Sequence, residues 1–173
     1  ISPIADVPYS GTKQEPDVTV TNQGTTLTAG TDYTVSYSDN TEAGIATVKV
    51  TGMGNYTGEK TSTFRIVIPL DACKISEIEK VTYTGKAQRP SVDVTYEGKA
   101  LTEHTDYVVT YSNNVNVGTA QATVIGKGNY TGEVTISFEI VEPAKPTPIP
   151  TPTPDPQPKP TPENPVDPDE NVI

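Results

Sequence analysis

One histidine, His104, and one cysteine, Cys73, are the residues of this chain most suited to act as a general base or a nucleophile near neutral pH. Neither works alone, because such catalysis requires a partner that positions the group and tunes its pKa, and paired carboxylates are the common alternative. A third candidate is the block SDNTE, from Ser38 to Glu42, whose side-chain oxygens are of the kind that bind Ca²⁺.

Two nearly identical blocks, GMGNYTGE (52–59) and GKGNYTGE (126–133), form a fourth candidate. Each combines glycines with an Asn-x-Thr sequon and one acid, so each could be a phosphate cradle, a glycosylation site or a turn. They belong to a longer internal repeat: a shift of 74 residues places Tyr9 on Tyr83 and carries the alignment without a gap to Ile66 on Ile140. Chemistry built into the repeating unit should therefore use residues that recur.

Few charged residues recur at this shift. Asp32 recurs as Asp106 and Glu59 as Glu133, whereas no lysine or arginine recurs and His104 aligns with Gly30. We expect the recurring aspartates to accept backbone hydrogen bonds in Asx-type turns and His104 to lie in a surface loop. The sequence therefore predicts no catalytic residue; a cleft that gathered Asp106, Glu133 and His104 would be needed for an enzyme.

Residues suited to bind a metal or to form a crosslink do not recur either. SDNTE aligns with SNNVN (112–116), which lacks both acids, so a solvated turn is favoured over a calcium site. Cys73 alone makes no zinc site and is predicted to be a small apolar residue near the junction of the copies. An isopeptide bond needs a lysine facing Asn or Asp; the repeat does not supply one, although a single copy could. We expect no metal and no cofactor.

Ligand binding through aromatic side chains is left open. The chain has no tryptophan, and its recurring tyrosines should pack in the core with the hydroxyl at the rim. Tyr96, which replaces Asn22 of the first copy, is the aromatic most expected to be exposed. An exposed sheet edge could add a strand from another protein, although Pro16 and Pro90 are of the kind that protects such edges.

The elements that position these residues follow a period of two, which indicates β-strands. Ala46, Val48 and Val50 should point inward, as should Tyr33 and alternate residues after it. Strands are predicted near Ile4 to Val7, Val18 to Val20, Tyr33 to Tyr37, Ala46 to Val50 and Thr61 to Ile68. An antiparallel meander folded into a small two-sheet sandwich would bury these faces, with the GNYTGE block as the hairpin turn between the last two strands.

Composition divides the chain into two repeats and a tail. We predict repeat one at residues 1–70, repeat two at 71–142 and a Pro/Thr-rich, disordered or polyproline-II-like spacer at 143–173, which holds most of the 17 prolines. The apolar link VIPLDACKISEIEKV should continue the last strand of repeat one into the first strand of repeat two, with limited hinge freedom in a rod-like tandem.

Net charge and hydropathy limit the kinds of partner that the chain is expected to bind. A formal net charge of -10 argues against nucleic acid and anionic membrane surfaces, since binding there depends on Lys and Arg. The sequence has no apolar run long enough to span a bilayer and no apolar segment typical of a signal peptide. Because the chain begins without Met, we expect it to be part of a longer polypeptide.

The second copy, from VTYTGKAQRP through TDYVVTY to GKGNYTGE, resembles a tandem repeat of large secreted and cell-wall-anchored proteins of Gram-positive bacteria. The first copy departs mildly at VPYSGTKQEP, where Pro8 replaces Thr82. The resemblance implies immunoglobulin-like β-sandwich domains that act as stalks, spacers or adhesive modules and carry no family-wide catalytic residues.

Together these observations predict an all-β protein: two tandem immunoglobulin-like β-sandwiches followed by an extended Pro/Thr-rich tail. The expected function is a non-catalytic, monomeric spacer of an extracellular, cell-surface or cell-wall protein that presents neighbouring domains of its parent chain. The alternative is an adhesin module that binds a host protein or glycan through exposed loops or edge strands.

Overall fold

The computed structural model describes residues 1–145, and these fold as an all-β protein. Residues through Pro143 form one compact unit. The predicted Pro/Thr-rich spacer, apart from its first three residues, lies outside the described part of the chain.

Repeat one is built around three long antiparallel strands. Its six strands are β1 (Val7–Pro8), β2 (Thr21–Asn22), β3 (Thr25–Thr26), β4 (Tyr33–Ser38), β5 (Gly44–Gly52) and β6 (Glu59–Pro69). The main sheet has the order β1-β6-β5-β4, and β2 pairs with β3 in a separate hairpin. The all-β prediction is confirmed, because these strands and their counterparts in repeat two dominate the fold.

Repeat two follows a short 3₁₀ helix, Leu70–Ala72, and repeats the pattern. Its strands are β7 (Lys74–Ile75), β8 (Val81–Thr82), β9 (Val94–Tyr96), β10 (Lys99–Ala100), β11 (Tyr107–Ser112), β12 (Gly118–Gly126), β13 (Tyr130–Thr131) and β14 (Glu133–Val141). The main sheet has the order β11-β12-β14-β8, and a three-stranded sheet has the order β10-β9-β7.

The core of each repeat consists of the inward residues predicted from the period of two. Ala46, Val48 and Val50 are buried along β5, and their counterparts Ala120, Ala122 and Val124 are buried along β12. Burying alternate side chains of an antiparallel sheet removes one apolar face from water, and this provides much of the driving force for folding.

Two predictions about the strands are wrong. The sheet is not a purely antiparallel meander, because β1 pairs parallel with β6 and β8 pairs parallel with β14. After β1 the chain leaves the main sheet and returns to it with β4. The last strand of the repeat, β6, then lies beside the edge strand β1 and runs in the same direction.

The second wrong prediction is the strand from Val18 to Val20, since this segment is not a strand in the structure. Its counterpart in repeat two supplies Val94 to β9, which pairs with β7 through Ile75. In repeat one the corresponding contact is a single backbone hydrogen bond, 2.9 Å from the amide of Ser2 to the carbonyl of Thr19. One such bond does not make a ladder, so the segment stays extended without strand pairing.

Candidate functional site at the repeat junction

The candidate catalytic residues do not converge. Asp32 and Asp106 accept the amides of Thr28 and Thr102 at 2.8 Å, so each bonds to backbone as predicted, but to the residue four positions earlier rather than in an Asx turn. Glu59 pairs instead with Lys49 at 3.0 Å on an exposed face. These acids therefore hold turns or lie on the surface.

His104 lies in an exposed loop, as predicted, with a left-handed φ of 69° where repeat one has Gly30 at 78°. It lines a groove of about 630 Å³ together with Arg89, Glu103 and Tyr111, and neither Asp106 nor Glu133 lines that groove. That groove therefore does not gather the two acids and the histidine that an enzyme would have needed.

The SDNTE block serves a structural purpose at Asn40. The side-chain Nδ2 of Asn40 donates to the carbonyl of Gln14 at 2.9 Å, and the amide of Gln14 donates back to the carbonyl of Asn40 at 2.7 Å. Asn114 and Gln88 make the same pair of bonds in repeat two. The prediction of a solvated turn is thus wrong at Asn40, which is buried because its amide satisfies the backbone of a neighbouring segment. Within residues 1–145, no three His, Cys, Asp or Glu residues are grouped as metal ligands.

The recurring tyrosines take the predicted positions. Tyr33 and Tyr107 are buried, and their hydroxyls donate to the carbonyls of Val18 and Val92 at 2.8 Å. Tyr96 is half-buried and packs edge-to-face on Tyr130 with 6.3 Å between ring centroids, so it is not a freely exposed platform.

Strand β6 of repeat one also pairs with a strand of repeat two, so it joins the two repeats. Along β6 the burial alternates up to Ile66 and then becomes continuous through Val67 and Ile68. The reason is that β1 flanks the strand at Ile66 and Val67, and β13 of repeat two pairs parallel with Ile68 and Pro69. The predicted continuation of this strand into the first strand of repeat two is wrong, because β6 ends at Pro69 and the 3₁₀ helix Leu70–Ala72 separates it from β7.

The GNYTGE block of repeat two provides the other half of the junction. Asn129 accepts the amide of Ile68 on its backbone carbonyl at 2.8 Å, and its side-chain Nδ2 donates to the carbonyl of Ala43 at 3.3 Å. The guanidinium of Arg65 donates to the carbonyl of Gly128 and pairs with Asp6 at 3.4 Å. The turn of repeat two is therefore fixed to repeat one through backbone and side-chain contacts.

Both blocks are hairpin turns, as predicted. The amide of Gly52 donates to the carbonyl of Gly58 at 2.9 Å, and Gly126 and Gly132 repeat this bond at 3.0 Å. A Cβ added at Gly126 would lie 2.7 Å from the amide nitrogen of Thr131, so glycine permits the close approach of the turn to its own strand.

Leu70 anchors the junction from the side of repeat one. Only 1% of it is exposed, and it belongs to the buried cluster of repeat two that contains Val94, Tyr107 and Val124. Nearby, burial raises the pKa of the Cys73 thiol and the Asp71 carboxylate raises it further, which disfavours the thiolate that a nucleophile requires. Cys73 is half-buried against the same cluster, consistent with its predicted apolar role.

Comparison of the chain with protein-family models and with curated proteins gave no match. In the part of the chain that the structure describes, no helix is both long and apolar enough to cross a membrane. The junction geometry is therefore the main basis for a functional proposal.

Proposed function

We propose that this chain is a non-catalytic spacer: two tandem immunoglobulin-like modules of an extracellular, cell-surface or cell-wall protein that hold a neighbouring domain away from its anchor. The observation that supports it is the uninterrupted strand β6, which starts in the sheet of repeat one and ends against β13 of repeat two. A load applied along the chain would pass through paired backbone rather than through a free linker.

The contacts around this strand support a stiff connection. Backbone pairing at Ile68 and the burial of Leu70 both hold the end of repeat one against repeat two. A hinge between the repeats would have to expose Leu70 and break those hydrogen bonds, and each change is unfavourable in water. The resemblance to repeats of Gram-positive surface proteins supports the proposed location.

Residual dipolar couplings measured by NMR on the full chain test the stiffness. A spacer of this kind should give one alignment tensor for residues of both repeats. Two independent tensors would mean that the repeats reorient freely, and the mechanical proposal would then fail.

An adhesin module is the second candidate, and one surface feature favours it. Val115 and Val117 are 41% and 45% exposed in a loop of repeat two, where repeat one has Thr41 and Ala43. Residues 113–119, in this loop and at the start of β12, line a shallow cavity of about 320 Å³. Valines at these two positions are present in only one copy, and such a difference is the kind of feature that a copy-specific partner would recognise.

Binding of the full chain to matrix proteins, mucus proteins and a glycan array separates the two candidates. A spacer should bind none of them above background. Specific binding that disappears in the double variant Val115→Thr/Val117→Ala, which installs the residues of repeat one, would instead support the adhesin.

A further inference from the structure

Repeat one contains a cavity of about 310 Å³ beside its GNYTGE turn. Apolar and aromatic side chains line it together with two glycines and the polar side chains of Asn22, Asp32, Thr57, Glu59 and Lys60. The apolar side chains that line it are those of Val20, Leu27, Tyr33, Val50 and Tyr56.

The same position in repeat two is filled. The residues that align with the apolar lining either belong to the buried cluster that holds Leu70 or pack against it. They are Val94, Leu101, Tyr107, Val124 and Tyr130. The cavity of repeat one therefore corresponds to a region of repeat two where Leu70 belongs to the buried cluster and where Tyr96, which replaces the lining residue Asn22, packs on Tyr130.

The core of repeat one is also less covered beside this cavity, where no strand among residues 1–145 pairs as β7 pairs with β9. Val94 of repeat two is 1% exposed and Val92 is 3% exposed, whereas their counterparts Val20 and Val18 are only half-buried. Leaving apolar surface of this kind in contact with water is unfavourable, so an apolar segment placed there would be stabilising.

Backbone groups beside the cavity also match those of the junction. In repeat two, Tyr130 and Thr131 pair in parallel with Ile68 and Pro69. In repeat one the matching residues, Tyr56 and Thr57, belong to no strand of the described chain, and Thr57 is exposed. The internal turn bonds of the two blocks are the same, so the backbone of repeat one has the conformation that accepts a strand in repeat two.

We propose that this cavity and the adjacent turn form a docking site for the end of a β-strand from another repeat of the same kind, with an Ile-Pro-Leu sequence like residues 68–70. The isoleucine would pair with the turn and the leucine would enter the cavity. This inference rests on the tandem-array role proposed above. It extends that role by assigning a partner to the GNYTGE turn of repeat one.

A second copy of this chain is a poor occupant, for two reasons. Its own Ile68 and Leu70 are already buried in its junction. At the end of its repeat two, Glu142 and Ala144 replace these residues, so that end offers a charge and a methyl group where the site requires two large aliphatic side chains. The occupant is therefore a strand end that keeps both aliphatic residues.

The test extends the full chain at its N-terminus by the sequence VIPLDASK, which copies residues 67–74 with serine replacing cysteine, so that the added isoleucine has a backbone amide. Lys74 is followed by Ile75, which aligns with Ile1, so the extension meets the chain in the register of the natural junction. A matched control extension has alanine in place of its leucine. Thermal unfolding, NMR shifts of Val20, Tyr33 and Val50, and amide hydrogen exchange are measured on both.

Relative to the alanine control, we expect the leucine extension to raise the unfolding midpoint of repeat one and to change the NMR chemical shifts of Val20, Tyr33 and Val50. The amide of the added isoleucine should exchange at least about tenfold more slowly than in the alanine control. Equal midpoints, shifts and exchange rates for the two extensions would overturn the proposal. That result would leave the spacer role intact, because the spacer role is tested by the dipolar couplings and the binding screen.

Discussion

The backbone amide of Ile68, at the end of repeat one, donates a 2.8 Å hydrogen bond to the carbonyl of Asn129, in the turn of repeat two. This bond joins two segments that are distant in sequence and lies at the start of the parallel pairing between β6 and β13. It gives the second GNYTGE block a role that its nearly identical first copy does not perform within the described chain. The predictions below test whether the junction couples the repeats.

Leu70→Ala should destabilise repeat two, although residue 70 falls within the predicted bounds of repeat one. Truncating a buried leucine leaves a cavity and typically costs about 2–5 kcal/mol. Urea denaturation followed by circular dichroism measures the loss, and hydrogen exchange shows where protection is lost. Ile45→Ala is the control, because Ile45 is 69% exposed and its truncation should stay within about 0.5 kcal/mol. Equal losses in the two variants would contradict the anchoring role of Leu70.

Asn129→Ala should loosen the junction, while the matching change Asn55→Ala should leave it unchanged. The first variant loses the side-chain hydrogen bond to the carbonyl of Ala43, a contribution of about 0.5–1.5 kcal/mol at most. Exchange of the Ile68 amide should become faster in this variant only. If both variants accelerate that amide equally, the effect arises from the turn in general and the junction role of Asn129 is refuted.

Gly126→Ala should disturb both the turn and the junction. The new Cβ would approach the backbone carbon of Tyr130 at 2.8 Å, so the turn must move, at a cost of about 1–3 kcal/mol. Because Tyr130 pairs with Ile68, this movement should also expose the Ile68 amide to exchange.

Gly52→Ala is its matched control. The same clash arises there with Tyr56, also at 2.8 Å, but no strand of the described chain pairs with that turn. It should therefore lower the free energy of unfolding without changing the exchange of Ile68. Unchanged exchange in Gly126→Ala as well would show that the turn does not transmit its displacement.

Alkaline pH should destabilise the fold through its buried tyrosines. Burial raises the pKa of Tyr37, Tyr107, Tyr111 and Tyr130 above the ordinary value. Below about pH 10 both states keep these phenols neutral; above it the unfolded chain ionises first, so stability falls as the pH rises toward the folded-state pKa values. Urea midpoints measured from about pH 8 upward report this slope.

Tyr111→Phe isolates one contribution to that slope. It removes the hydroxyl that donates to the carbonyl of Pro90, so it should cost about 1 kcal/mol at neutral pH. It should also make the alkaline decline shallower, since one titrating group is lost. A slope as steep as that of the unmodified chain would show that Tyr111 is not among the groups responsible.

Local pattern alone was sufficient for much of the fold. The alternation around Val48 predicted both the strand and its inward face, and glycine spacing predicted that GNYTGE is a turn. Asp32 was assigned to a backbone hydrogen bond from its place after a Gly-Thr pair, and the structure confirms it. These features depend on residues a few positions apart, where steric and hydrogen-bonding preferences act directly.

The burial of Asn40 could not be predicted in this way. Its partner, Gln14, is 26 residues earlier, and nothing in SDNTE indicates which backbone segment will pack beside it. Recurrence of Asn40 as Asn114 and of Gln14 as Gln88 was the available signal. This recurrence indicated that the four residues matter to the repeat, but it did not indicate that Asn40 contacts Gln14 or that Asn114 contacts Gln88.

The sequence by itself determined that the chain is a β-rich repeat with an apolar link between its copies. Only the tertiary structure decided that the link ends as a strand against one GNYTGE turn, with Leu70 in the core of the following repeat. The two turns are nearly the same in sequence and in internal hydrogen bonding. What distinguishes them is the neighbouring strand, and the identity of that neighbour depends on how distant parts of the chain pack.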